Sequence, residues 1–191
     1  MALRLNGATS GYVELNAPAV AGSNTLTLPN GNGSSGQVLS TDGSGALSWS
    51  DHDRGPAARA TNSSSQSLAD GTWTKLNVDT ESFDTDGCFA SSRFTPNKAG
   101  IYLFNAMAYL DYSAGSPNRR GIRFYRNGSA YVSDVQTSPS PSWGMVNLSA
   151  MASMNGTTDY MEVYIYFSGA TSGQVAASGL SVFEGFYVRP V

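Results

Sequence analysis

Apolar and polar residues alternate with a period of two through most of the chain, as in strands that bury one face. Runs rich in Val, Ile, Tyr, Phe and Thr predict strands near Ala57–Thr61, Thr72–Val78, Cys88–Phe94, Gly100–Leu110, Gly121–Asn127, Trp143–Met154, Tyr160–Phe167 and Leu180–Val188. Between them stand Asp70-Gly71, Asp86-Gly87, Asn127-Gly128 and Asn155-Gly156, pairs that tolerate the positive φ of tight hairpins. No segment carries the helical period. The chain is therefore expected to be all-β, with enough strands for a two-sheet jelly roll.

The first fifty residues differ. Tyr12-Val13-Glu14-Leu15, Thr25-Leu26-Thr27-Leu28 and Gln37-Val38-Leu39-Ser40 have strand chemistry, but Gly, Asn, Ser and Pro separate them. Val38–Thr41 and Ala46–Trp49 flank Asp42-Gly43-Ser44-Gly45 and read as a hairpin. So polar a segment cannot by itself offset an ordering entropy on the order of 1–2 kcal/mol per residue. Identical copies would have to supply the missing apolar surface, which predicts an intertwined homo-oligomer. The expected division is a β-rich stem over residues 1–50, a linker over 51–58 with Gly55-Pro56, and a sandwich over 59–191.

Composition narrows the function. Of 191 residues, 40% are hydrophobic and 13% charged, about half the usual charged share. Solubility rests on Ser, Thr, Asn and Gly, a surface common in extracellular and virion β-proteins. A net charge of −3 argues against nucleic acid as a partner. No apolar run nears the roughly 20 residues of a membrane span, and Met1–Gly7 lacks a signal-peptide core. The single cysteine, Cys88, allows no internal disulfide. Synthesis in a cytoplasm is expected, with no membrane insertion.

Phe94-Thr95-Pro96-Asn97-Lys98-Ala99-Gly100-Ile101-Tyr102-Leu103-Phe104 resembles the F-x-P-x-x-x-G-x-Y-x-F signature of C1q-like domains. Arg126-Asn127-Gly128, Asp159-Tyr160-Met161-Glu162-Val163 and Phe183-Glu184-Gly185-Phe186 follow in the order seen in that family. The stretch Ser34–Trp49 resembles stem segments of bacteriophage tail fibres, many of them from cyanophages. The first resemblance implies a ten-stranded C1q/TNF-like jelly roll that forms a homotrimer, with the C-terminal strand central in the inner sheet. It also implies that Phe183, Gly185 and Tyr187 face the threefold axis. Glu184 then falls among Val182, Phe186 and Val188, so either that assignment is inverted or an arginine meets the carboxylate. Alternation in Met145–Met151 gives Val146, Leu148 and Ala150 to the core, and Met145, Asn147, Ser149 and Met151 to a semi-polar subunit interface.

Catalytic chemistry finds little support. His52, in Asp51-His52-Asp53, is flanked by side chains that point to alternate sides of an extended chain and do not converge on one ion. Asp79, Glu81, Asp84, Asp86, Asp159 and Glu162 are the carboxylates nearest an acid–base pair; those at turns have ordinary local hydrogen bonds to make. No catalytic residue, required cofactor or firm metal site is assigned. Some C1q-like proteins carry Ca²⁺ near the trimer apex, which makes Asp111 and Asp134 weak candidates without a D-x-D-x-D-G loop.

Recognition is better supported. Arg120, Arg123 and Arg126 form the basic cluster, suited to carboxylate or phosphate on an anionic polysaccharide or to a solvated outer strand. Trp143 follows the stiff Gln136–Ser142 segment with Pro139 and Pro141, either exposed for binding or folded back as a core cap. Tyr112, with Asp111 beside it as a further receptor-binding candidate, is its expected counterpart on another connection. The expectation is a non-enzymatic, trimeric virion protein, made in the host cytoplasm. Residues 1–50 would meet other tail or capsid proteins, and the knob would meet a host-surface polysaccharide or protein. A capsid cement or head-fibre trimer is the rival, and a glycan-degrading enzyme a remoter one.

Overall fold

The computed structural model describes residues 3–51, 54–114, 117–137, 143–177 and 179–191. His52, Pro139 and Pro141 lie outside the described residues. The chain divides into two compact units, Met1–Asp53 and Arg54–Val191.

In the first unit, β1 (Leu3–Asn6) pairs antiparallel with β2 (Tyr12–Leu15), and β3 (Gln37–Thr41) with β4 (Leu47–Asp51). The second hairpin turns as its sequence requires: Asp42 Oδ1 accepts from the amides of Ser44 at 2.7 Å and Ala46 at 3.1 Å. Thr27 adds only a parallel bridge to Ala46. Trp49 donates to the Gly31 carbonyl at 2.7 Å, and its ring lies against Gly33, where a Cβ would collide with it. None of the described residues of this unit is buried; Leu3, Leu5, Val13, Leu15, Leu26 and Leu28 are each more than half exposed. These are hairpins without a core.

The second unit runs β5 (Ala57–Thr61), β6 (Gln66–Leu68), β7 (Thr74–Lys75), β8 (Thr80–Asp84), β9 (Phe89–Ala90), β10 (Arg93–Phe94), β11 (Ala99–Ala114), β12 (Arg119–Arg126), β13 (Ser129–Thr137), β14 (Trp143–Asn155), β15 (Met161–Ser168), β16 (Ser172–Val175) and β17 (Val182–Arg189). A six-stranded sheet has the order β13-β12-β15-β10-β9, with β7 also on β15. A seven-stranded sheet has the order β6-β16-β11-β17-β5-β8, with β14 also on β11. The strands beyond the expected ten are short pieces. The expected strand Cys88–Phe94 is broken into β9 and β10 by Ser91 and Ser92, whose φ values of 52° and 56° are left-handed.

The core lies between the sheets, because every long strand turns alternate side chains inward. Phe94, Tyr102, Phe104, Phe124, Phe167 and Phe183 are fully buried. Phe104 is their hub, with ring centroids 5.5 Å from Phe94, 6.2 Å from Phe124 and 6.3 Å from Phe183. Hairpin chemistry fixes the register at one end. Asp159 accepts from Arg126 at 2.8 Å, Asn127 at 2.7 Å and the Asn155 amide at 2.9 Å, tying the β12–β13 turn to the β14–β15 turn. The Arg126 and Asn127 bonds outweigh burial and hold the Asp159 carboxyl below its ordinary range.

Candidate functional site

The outer side of the seven-stranded sheet is open and largely apolar. Its strands face outward with Met145 and Met151 from β14, Leu103 and Met107 from β11, and Phe186 and Val188 from β17. Met151 is 54% exposed and Val188 45%, more than an ordinary surface would leave bare in one patch. A hydrogen-bonded polar row crosses this patch. Ser149 donates to Asn105 Oδ1 at 2.7 Å, Asn105 donates to Glu184 Oε1 at 3.3 Å, and Arg59 Nε lies 3.4 Å from Glu184 Oε2. The ladder places these four directly opposite one another on β14, β11, β17 and β5. Met151, Leu103 and Phe186 line up on one side of it; on the other, Met107 and Val182 stand between Asn147 and Thr61.

This geometry inverts the expectation for β17. Phe183, Gly185 and Tyr187 point into their own sandwich, with Phe183 fully buried and Tyr187 nearly so. A Cβ on Gly185 would come within 2.8 Å of Phe104 Cε1, so the strand needs glycine there to seat that ring. Phe183 and Tyr187 are therefore core residues of the chain's own sandwich and are not on its outward face. Glu184 sits on the open face, and the arginine that meets it is Arg59. Met145, Asn147 and Met151 do point outward.

The expected recognition residues separate. Trp143 is 56% exposed and stacks on Tyr109, centroids 6.1 Å apart at 16°, so it is no core cap. Tyr112 is the reverse of an exposed loop aromatic. It lies within β11, buried against Phe167 at 5.7 Å, and burial pushes its hydroxyl up to about 12 despite the nearby Arg120 charge. Strand alternation also splits the basic cluster. Arg120 and Arg126 share the inward face of β12 with Ile122 and Phe124; the Arg120 guanidinium leaves no room for a Cβ at Gly144, and Arg126 is held by Asp159. Arg123 alone of the three faces outward. Asp111 accepts from Gln174 at 3.3 Å and Asp134 from Gln136 at 2.7 Å, on different sheets. Among the described residues, no three His, Cys, Asp or Glu side chains cluster as metal ligands would.

Sequence reasoning passed over Trp73, Tyr164 and Tyr166, which stand outward on the six-stranded sheet. Their signal was present in Tyr160-Met161-Glu162-Val163-Tyr164-Ile165-Tyr166, where tyrosines recur at even spacing on one strand face.

No protein-family model matches the sequence, and no curated protein does. Solved structures resemble its fold. Murine APRIL at pH 5.0 superposes with a TM-score of 0.54 at 12% identity, covering 71% of this chain and 100% of that one. The globular domain of zebrafish complement 1qA superposes with a TM-score of 0.54 at 17% identity, covering 72% of this chain and 99% of that one. The sandwich thus has the C1q/TNF-type jelly-roll fold.

Proposed function

We propose that this chain is a non-enzymatic homotrimeric virion protein, a bacteriophage tail fibre or knob that attaches the particle to a host surface. The observation that carries the proposal is the open apolar face of the seven-stranded sheet, crossed by the Ser149–Asn105–Glu184–Arg59 row. Such a face suits a partner that is apolar and also offers polar groups at one level. A second and third copy of the same face meet both requirements when a threefold axis repeats them. The fold likeness to C1q-type domains supports that arrangement, as does the coreless β1–β4 unit, whose bare apolar side chains call for identical neighbours. The resemblance of Ser34–Trp49 to tail-fibre stems supports placing this unit against other virion proteins. Trp143, at one end of the open face, would stand near the rim of the trimer in three copies, where weak contacts gain avidity of about 10²–10⁴.

Immunogold labelling of intact particles tests the virion role, with label expected at the tail. Label on the head would favour the cement or head-fibre role, and no label on any particle would overturn the virion reading. Purified protein should in addition block adsorption of the phage to its host.

A further inference from the structure

The outer face of the six-stranded sheet carries a row of aromatic rings interleaved with cations. Trp73, just before β7, packs on Tyr166 with centroids 5.1 Å apart. The Arg123 guanidinium lies 4.0 Å above the Trp73 ring. Beyond it, Tyr125 and Tyr164 pack at 4.1 Å, and the Arg93 guanidinium lies 3.9 Å above Tyr160. All of these side chains are half-buried, so the rings are fixed while part of each stays open to solvent.

The row is a built feature. Gly121 lies under the Trp73 ring, where a Cβ would come within 3.0 Å of Trp73 Cη2 and of Val135 Cγ2. Glycine lets the indole lie down on the strand. Arg123 is held by a bond from Nε to Ser133 Oγ at 2.8 Å and reaches the Tyr125 hydroxyl at 3.4 Å through Nη1. It has no carboxylate partner among the described residues. The outward positions of β7, β10, β12 and β15 hold four cations, Lys75, Arg93, Arg119 and Arg123, against one carboxylate. That carboxylate, Glu162, is only 4% exposed, and Lys75 and Arg93 each bind it at 2.8 Å. A chain of net charge −3 thus carries a cationic, aromatic strip on this one face.

We propose that this strip binds an acidic polysaccharide, with sugar rings stacked on Trp73 and the Tyr125–Tyr164 pair and a sugar carboxylate bound by Arg123. Fixed rings supply large contact area at little entropic cost. A guanidinium already oriented by Ser133 and Trp73 binds a carboxylate through two parallel N–H bonds without first being ordered. Neutral glycans satisfy the rings but leave the charge unanswered. The proposal gives the attachment reading its ligand class and a face distinct from the trimer patch, and it rests on that reading only for its biological setting. Free oligosaccharide binds or fails to bind whether or not the chain sits on a particle.

Calorimetric titration of the full chain with hexamers of galacturonate, mannuronate and hyaluronan, beside maltohexaose, tests it. Saturable binding of at least one acidic hexamer is expected, with maltohexaose far weaker and tryptophan fluorescence perturbed. Arg123→Gln, a surface change, should weaken that binding about tenfold or more, the scale of a lost charge-assisted bond. Trp73→Ala should weaken it similarly, and if that variant fails to fold, Arg123→Gln alone decides. No saturable binding of any acidic hexamer up to about 10 mM, equal binding of maltohexaose, or wild-type affinity in Arg123→Gln would each overturn the proposal. Particle labelling in the absence of glycan binding would leave the attachment role in place with a protein as its receptor.

Discussion

Glu184 and Arg59 face each other across adjacent strands, carboxylate Oε2 to guanidinium Nε 3.4 Å, at the end of the polar row that divides an apolar sheet face. In one chain the side chains are 33% and 45% exposed, and a pair so placed contributes about 0–1 kcal/mol. Enclosed between subunits, the same pair becomes costly to break, about 3–5 kcal/mol when one partner is removed. Arg59→Ala should therefore leave the sandwich folded and shift the proposed trimer towards dissociation at a given protein concentration. Sedimentation of the variant over a dilution series measures this. A dissociation profile equal to that of the wild type would place the polar row outside the interface.

The Glu162 cluster sets a direction for acid stability. Burial raises the carboxyl's pKa, but bonds and charge from Lys75 and Arg93 outweigh burial and bring it below the ordinary 4.5. As pH falls below that value the unfolded chain takes up the proton first. This contribution is thus complete above about 4.5 and is lost as pH drops through the folded value. Glu162→Gln should cost about 1.5–3 kcal/mol at pH 7, as for hydrogen bonds to charged groups. Its stability should also fall less steeply than the wild type's on acidification. Urea unfolding at pH 7 and pH 3 gives both quantities, and parallel pH profiles for the two proteins would be the failing result.

Gly185 tests the inversion of β17. A methyl there meets Phe104 at 2.8 and 2.9 Å and Phe94 at 3.2 Å, so Gly185→Ala should destabilise the sandwich by about 1–3 kcal/mol through overpacking. An interface glycine would instead change assembly and leave chain stability alone. Thermal unfolding beside light scattering separates the two.

Removing residues 1–53 should leave the unfolding midpoint of the sandwich unchanged, because its hydrophobic core is drawn from its own residues, Ala58 to Tyr187. The truncated knob should also fail to join particles. A fall of several degrees in its midpoint would show that residues 1–53 stabilise the sandwich.

Periodicity made the long strands legible: β5, β11, β12, β14, β15 and β17 lie within a few residues of where alternation placed them. Among the described strands of the sandwich, four escaped it. β6, β8 and β16 are short and polar, and β13 alternates Tyr131, Ser133 and Val135 on a face left to solvent, so no apolar contrast marks it. Facing was harder to read than position. In β17 both faces carry aromatic and aliphatic residues, and only the ring of Phe104 beneath Gly185 says which one is inside. Tyr112 looked like a loop residue because nothing local reveals that β11 runs on to Ala114. The cationic aromatic strip draws residues from four separate stretches, and pairwise ladder contacts alone bring Trp73 to Arg123.

Light scattering of the full chain during size-exclusion chromatography bears most directly on the proposed trimer. A mass near three times the 20.1 kDa chain is expected. A species of 20.1 kDa at concentrations where interfaces of this kind hold would contradict it, and the open face would then need a different partner.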